Sequence, residues 1–455
     1  MEMVLEFLRD VLSQPALLIG IMSCIGLIAL KRPFHKIMTG TLKPILGYLM
    51  LAAGAGVIVS NLDPLGKMIE HGFHITGVVP NNEAIVAVAQ KVLGVETMSI
   101  LVVGLLMNLC IARFTKFKYV FLTGHHSLFM ACLMSAVLGT AGLSGMELIL
   151  VGGFLMGAWS AISPAIGQSY TSKVTDGDEI AIGHFGSLGY YLSAWVAKYV
   201  GKAEDSTEDI EIPEKWGFLR DSTLSTALTM IVFYLIAAFA AGSEFVATLS
   251  GDMSPYLYAV MSAMNFAVGV AIVYSGVRMI LGDLIPAFQG IATKIIPNAI
   301  PAVDCAVFFT YAPTAVVLGF ISSFIGGIIG MLILGAVGGV LIIPGLVPHF
   351  FCGATAGIYG NATGGRRGAA VGAFLNGLAI TFLPALALPV LGQLGFQNTT
   401  FGDADFAVMG LVLGHAFEWI GMAGIYGIVA IAALVLIIPN FIKTKGKVIN
   451  YVEEE

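Results

Sequence analysis

The sequence predicts an all-α polytopic membrane protein, and three observations carry that prediction. Hydrophobic residues make up 57% of the 455 residues and charged residues only 11%, whereas soluble domains carry roughly 25% charged residues. Apolar runs of about 20 residues, long enough to cross a bilayer, recur along the whole chain. Glycine reaches 56 residues, which suits close helix packing and broken helices within a membrane.

Taken in order, the apolar runs place spans near 13–30, 42–60, 97–114, 127–145, 147–166, 224–242, 256–281, 303–320, 321–343, 372–391 and 420–442, about eleven in all. The third and eighth adjoin polar or kinked sequence. Stretches 62–95, 167–200 and 344–371 are too polar or glycine-rich to cross simply. Such backbone survives at membrane depth only where protein or a water-filled cavity covers it, as in re-entrant hairpins. The N-terminus M1-E-M-V-L-E-F-L-R-D10 is acidic and lacks the basic n-region of a cleaved signal peptide.

Basic residues in short loops set the expected orientation. Lys31, Arg32, Lys36 and Lys43 follow the first span, Arg113, Lys116 and Lys118 the third, and Lys443, Lys445 and Lys447 the last. An odd number of spans puts all three clusters in the cytoplasm, with the N-terminus outside and the C-terminus inside. The charged run from Lys198 to Lys215 reads as a solvated cytoplasmic linker and as a seam. The whole of 1–455 then reads as a single membrane domain, with a first repeat at about 1–200, a linker at 201–222 and a second repeat at 223–455. The same order recurs in both halves: a polar residue (His125, Asp304), a glycine-rich span, then a polar glycine turn (I182-G-H-F-G186, Y359-G-N-A-T363). An odd number of spans between equivalent points makes the copies inverted.

Several function classes fall away. A net charge of −6 offers nothing to nucleic acid. Cys24, Cys110, Cys132, Cys305 and Cys352 stand singly, so no disulfide, zinc site or other cofactor is expected. No H-E-x-x-H or G-x-S-x-G occurs, which removes intramembrane metalloproteases and serine hydrolases. G364-G-R-R-G368 lacks the spacing and the lysine of a nucleotide-binding loop.

Polar residues within apolar runs are what remain. Ionisable groups at membrane depth cost about 2.5–3.5 kcal/mol each and mark polar cavities or substrate paths. L122-T-G-H-H-S-L-F129 carries His125 and His126, which point about 100° apart on a helix, so at most one faces a common centre. His184 sits in a G-H-F-G turn, where glycine lets a ligand approach the backbone. Asp304 stands alone in I300-P-A-V-D-C-A-V-F-F309. Convergent histidines and a carboxylate suit a polyhydroxylated solute. His71 and His74 read as an ordinary polar loop, His349 lacks an evident partner, and His415 with Glu418 reads as a structural pair.

At these residues the chain resembles the ascorbate-specific EIIC membrane component of the bacterial phosphotransferase system. L122-T-G-H-H, V174-T-D-G-D, I182-G-H, G276-V-R-M279, I300-P-A-V-D-C-A306, Y311-A-P-T-A-V-V-L-G-F320 and L341-I-I-P-G-L-V-P348 follow in order over nearly the whole length. The resemblance implies a homodimer in the bacterial inner membrane with eleven spans per subunit. Each subunit would have a sugar-carrying core that moves as an elevator against a scaffold. Its substrate site maps onto Asn82 and Glu83, onto His125, His126, Ser127, Leu128 and Phe129, onto His184 and Phe185, and onto Asp304. Separate cytoplasmic IIA and IIB proteins are implied as partners, with the phosphocysteine on IIB and no catalytic residue on this chain.

The departures bear on the solute. Ascorbate-type members carry Thr-Tyr where this chain has Asn82-Glu83, and glutamines where it has Phe129 and Phe185. Losing a required hydrogen bond can cost orders of magnitude in discrimination. The expected function is therefore translocation of L-ascorbate or a related sugar acid or polyol for phosphorylation by IIB. An ion-coupled secondary transporter is the rival that intramembrane His and Asp suit equally well.

Overall fold

The computed structural model describes residues 11, 14–74, 77–78, 80, 82–210, 222–392 and 400–441. Nearly all of this is helix, as a bilayer demands of backbone that must satisfy its own hydrogen bonds. Among the described residues, seven helices are long and apolar enough to cross a membrane, or eight with the bent pair Thr226–Ala241 and Ser243–Ser250 as one span. This is the all-α polytopic architecture expected, reached with different boundaries.

Two groups of helices pack chiefly within themselves. The first, called the panel here, comprises α1 (Pro15–Ala29), α2 (Phe34–Phe73), α8 (Ser222–Ala241), α9 (Ser243–Ser250) and α10 (Pro255–Lys294). Its axis is the antiparallel crossing of the two 40-residue helices α2 and α10. There Gly47 lies against the Gly276 carbonyl and Gly54 against the Gly269 carbonyl, and added Cβ atoms would sit 2.8 and 2.7 Å from those oxygens. Small residues thus let two backbones touch, the packing that membranes reward when no hydrophobic force separates helix from lipid. Lys43 and Asp283 form an ion pair across the same two helices at 3.5 Å.

The second group, the body, carries α3 (Asn82–Phe114), α4 (Gly124–Thr140), α5 (Gly145–Ile166), α6 (Gln168–Thr175) and α7 (Ser187–Val200) from the first half. From the second half it takes α11 (Pro313–Ala336), α12 (Leu346–Gly392), α13 (Ala404–Ile420) and α14 (Met422–Phe441). Its helices pack mainly as α3 on α4 and α5, and α12 on α7 and α11. The long α12 breaks at Gly364 and Gly365, the latter at φ +58°. Its second arm holds the expected span 372–391. The expected span at 303–320 is not one helix: a strand and a short 3-10 helix, Cys305–Thr310, precede α11, because Pro301 and Pro313 interrupt helical hydrogen bonding.

A three-stranded parallel sheet sits at the centre of the body. β1 (Tyr119–Phe121) and β2 (Ala181–Ile182) flank β3 (Ile300–Val303), giving the order β1-β3-β2. Its outer edge is closed by a side chain. Asn108 of α3 donates to the Tyr119 carbonyl at 3.1 Å and accepts from the Phe121 N–H at 3.0 Å. An amide thus replaces the missing neighbouring strand where no water can.

The segment read as a solvated linker is docked over residues 201–210. Glu208 accepts N–H bonds from Thr314 and Ala315 at the start of α11, each near 3.1 Å. The Thr207 N–H bonds Asn361 Oδ1 at 2.8 Å, and Arg366 N–H bonds the Asp205 carbonyl at 2.8 Å. The chain therefore straps the α12 break. At the end of the body, Lys116 N–H bonds Asn440 at 2.9 Å, so α3 and α14 finish on the same side.

Candidate functional site

The three parallel strands end together, and each hands the chain to a polar residue within one to four positions. β1 leads into Thr123-Gly124-His125, β2 into Gly183-His184, and β3 into Asp304. Parallel pairing puts all three C-terminal ends on one edge, as at the ligand-binding edge of open parallel sheets. The ladder continues one residue past the strands: Leu122 N–H bonds the Ala302 carbonyl at 2.9 Å and Gly183 N–H the Val303 carbonyl at 2.7 Å. A side chain at Gly183 would meet the Ala302 carbonyl at 2.4 Å, so glycine keeps β2 close enough to bring His184 toward Asp304.

His125 Nε2 stands 3.4 Å from Asp304 Oδ2, while Tyr48 Oη bonds its Nδ1 at 3.2 Å. Asp304 caps the 3-10 helix, with Oδ1 accepting from Ala306 N–H at 3.2 Å. Its lone pairs are not exhausted. His126 lies on the other side of the same helix start, its ring 4.7 Å from that of His125 and 3.8 Å from that of His184. Sequence geometry allowed only one of the two histidines at the centre, and both are there. The centre wraps around the first turn of α4 rather than lying along one face.

The protons on the buried rings follow from their partners. His126 Nδ1 accepts from the Phe185 backbone N–H at 3.3 Å, and His184 Nδ1 from the Gly186 N–H at 3.1 Å. A backbone N–H can only donate, so both Nδ1 atoms carry lone pairs and Tyr190 Oη must donate to His184 Nδ1 at 2.8 Å. Each neutral ring is left with Nε2–H to offer. His126, His184 and Asp403 lie close enough to hold a metal ion, as do His184, Asp304 and Cys305. With Nδ1 engaged by donors and Nε2 protonated, however, the rings present N–H groups instead of lone pairs. The set suits hydroxyl, carbonyl or anionic oxygens, with Asp304 and Asp403 as acceptors.

Behind His184 runs a polar chain of which sequence reading named only Asn82 as a site residue. Asp403 lies 3.9 Å from His184 Nδ1, accepts from Cys352 Sγ at 2.8 Å and accepts from Asn82 Nδ2 at 2.6 Å. Asn82 Oδ1 in turn accepts from Gly402 N–H at 2.9 Å. Asp405 is fully buried and takes three donors: Ser187 Oγ at 2.8 Å, Leu188 N–H at 2.9 Å and Trp159 Nε1 at 3.3 Å. The signal was present as two carboxylates in F401-G-D-A-D-F406 among apolar neighbours.

The remaining sequence-predicted residues divide. Ser127 bonds its own helix, Oγ to the Thr123 carbonyl, and is fully buried. Leu128 is half-buried. Phe129 stands edge-on to His125 and near His126, with ring centres 5.8 and 5.7 Å away. Phe185 is fully buried, stacked on Phe121 at 4.6 Å and packed near Phe406, and meets His126 through its backbone. The Glu83 side chain lies outside the described residues.

The other histidines sit apart from this centre. His71 stacks on Phe245, His349 bonds Ser323 Oγ at 2.9 Å, and His415 pairs with Glu418 at 2.8 Å.

Comparison with known proteins agrees in kind. Residues 10–405 match the profile of a family described as the sugar-specific permease component of the PTS, or EIIC-GAT. The chain is similar to the ascorbate-specific PTS system EIIC component of Mycoplasma pneumoniae, at 28% identity over 417 residues. The match covers 78% of this chain and 62% of the relative, so the chain spans less than two thirds of that protein's length.

Proposed function

The chain belongs to the family of sugar-specific permease components of the phosphotransferase system, and we propose that it carries L-ascorbate or a related sugar acid or polyol across the bacterial inner membrane for phosphorylation by a separate IIB protein. The observation that supports this most is the convergence of His125, His184 and Asp304 on one sheet edge within a membrane body. The name of the Mycoplasma relative supports the solute class. Histidine N–H groups would hold carbonyl or enolate oxygens, and Asp304 and Asp403 would accept from hydroxyls. Phosphoryl transfer needs an in-line hydroxyl and a base within reach. Asp304 would take that proton once the solute hydroxyl displaces the long His125 contact. The phosphoryl group itself would arrive on IIB, charged by IIA.

In this reading the body moves as an elevator against a panel that also forms the homodimer contact. The basic residues at the shared end of α3 and α14 face the cytoplasm, so the N-terminus is outside. The test is uptake of labelled L-ascorbate into de-energised vesicles. Uptake that persists with phosphoenolpyruvate, IIA and IIB, and yields the phosphorylated solute, supports the reading. Uptake that needs an ion gradient and ignores phosphoenolpyruvate would favour the secondary transporter.

A further inference from the structure

Tyr48 belongs to the panel, yet its hydroxyl reaches a side chain of the body's site. It lies on α2, within the stretch of the glycine crossing with α10, and its ring is buried. Its partner is His125 Nδ1 at 3.2 Å, and the opposite nitrogen of that ring faces Asp304 at 3.4 Å. Around this contact the apolar core runs continuously from panel to body, interrupted by one small void. A water-sized cavity of about 10 Å³ is lined by Ile19, Tyr48 and Ile280 from the panel and by Thr123, Asp304 and neighbours from the body. The Tyr48–His125 link therefore joins the two groups of helices across their seam.

The chemistry gives the link a direction. A carboxylate oxygen accepts, so Nε2, the His125 nitrogen that faces Asp304 Oδ2 at 3.4 Å, is the one that carries the ring's proton. Nδ1 is then a lone pair, and the Tyr48 hydroxyl must donate to it. We propose that Tyr48 is a positioning residue: it holds His125 in the Nε2–H tautomer, aimed at Asp304, and does so only while the body sits in this register against the panel. Sliding of the body by a few ångströms would remove the donor and release the ring. The readiness of the site for solute is thereby tied to where the body stands. The inference deepens the reading above as a solute carrier and rests on it for the binding arm of the test.

The test combines one arm without solute and one with it. Histidine ¹⁵N spectra of the purified protein in lipid are recorded for the full chain and for Tyr48→Phe, with the His125 signals assigned by their loss in His125→Gln. Wild type should show an unprotonated, hydrogen-bonded Nδ1 and a protonated Nε2, and Tyr48→Phe should show a mixture of tautomers. With L-ascorbate as the probe, Tyr48→Phe should raise Kd roughly tenfold, the size of one lost hydrogen bond at a preorganised site, while melting temperature and elution profile stay at wild type. Tyr48→Leu, with ring and hydroxyl both gone, separates packing from hydrogen bonding: Kd in the folded fraction should match that of the Phe variant. An unchanged His125 spectrum in Tyr48→Phe overturns the proposal whatever the solute. An altered spectrum with unchanged Kd overturns the positioning role. If wild type fails to bind L-ascorbate, the proposed solute is wrong, and the spectra alone decide the tautomer claim.

Discussion

Replacing Asp304 by asparagine should abolish solute binding without unfolding the chain, and the structure says why the loss is large. The backbone N–H of Ala306 holds Oδ1 of Asp304, so an asparagine would keep its carbonyl oxygen there. Its NH₂ group would then occupy the place of Oδ2, facing His125 Nε2 across 3.4 Å. Two donors would oppose each other, while Tyr48 still donates to Nδ1. Losing a charged acceptor for a solute hydroxyl costs about 1.5–3 kcal/mol, and the mismatched donors add about 1–2 kcal/mol at a half-open site. The sum, about 2.5–5 kcal/mol, weakens Kd by roughly two to three and a half orders of magnitude. The assay is equilibrium binding and vesicle uptake, with membrane expression and melting temperature measured on the same preparations. Cys305→Ala is the neighbouring control. It trims one fully buried thiol and leaves the Asp304 carboxylate in place, and it should transport at near wild-type rate. Wild-type affinity in the Asn variant would refute the assignment of Asp304 as the solute's acceptor.

Three other outcomes are expected. Asp405→Ala leaves the Ser187, Leu188 and Trp159 donors unpaired in the body's core; a stability loss of about 3–5 kcal/mol should appear as a clearly lower melting temperature in detergent, and an unchanged one would show that water replaces the carboxylate. Phe129→Gln should change selectivity across a panel of ascorbate, sugar acids and polyols, because its ring flanks His125 and His126, whereas Phe185→Gln should mainly lower folded yield, because that ring is buried on Phe121; equal selectivity changes in both would place Phe185 in the solute shell after all. The isolated chain should not phosphorylate solute until a IIB-type protein is added, and reversal of the exposed Arg366 and Arg367 should weaken that reaction more at low salt; stable phosphate uptake by the chain alone would contradict a translocation role.

Lys118 limits one inference that its sequence invites. One of the basic loop residues that set the expected orientation, it donates to the Ala112 carbonyl at 3.0 Å and to that of Arg113, closing the end of α3. Burial and the neighbouring Arg113 charge lower its affinity for a proton. Its reversal would disturb the helix end as well as any partner surface, so Arg366 and Arg367 are the cleaner test.

Hydropathy alone determined that this chain is a helical membrane protein, since twenty apolar residues in a row have no other stable use. Ionisable residues inside apolar runs marked His125, His184 and Asp304 for the same energetic reason, and ordered motifs pointed to the family. Pattern could not decide which polar residues meet. Asp304 lies 179 positions from His125 and joins it because β1 and β3 pair in parallel, a register set by backbone hydrogen bonds that carry no side-chain signature. His126 faces the centre along with His125 because the site encircles a helix start, where the rule of one face per helix no longer applies. Asp403, Tyr190 and Cys352 came from three separate helices or their ends, and Phe185 turned inward because an aromatic core was waiting beneath the strand. The segment 201–210 keeps its charged residues exposed, as its composition indicates, but the docking of Glu208 on the α11 N-terminus, with its orphan N–H groups, is set by packing alone. Local chemistry can be read along a chain; the partners that satisfy it are chosen by packing in three dimensions.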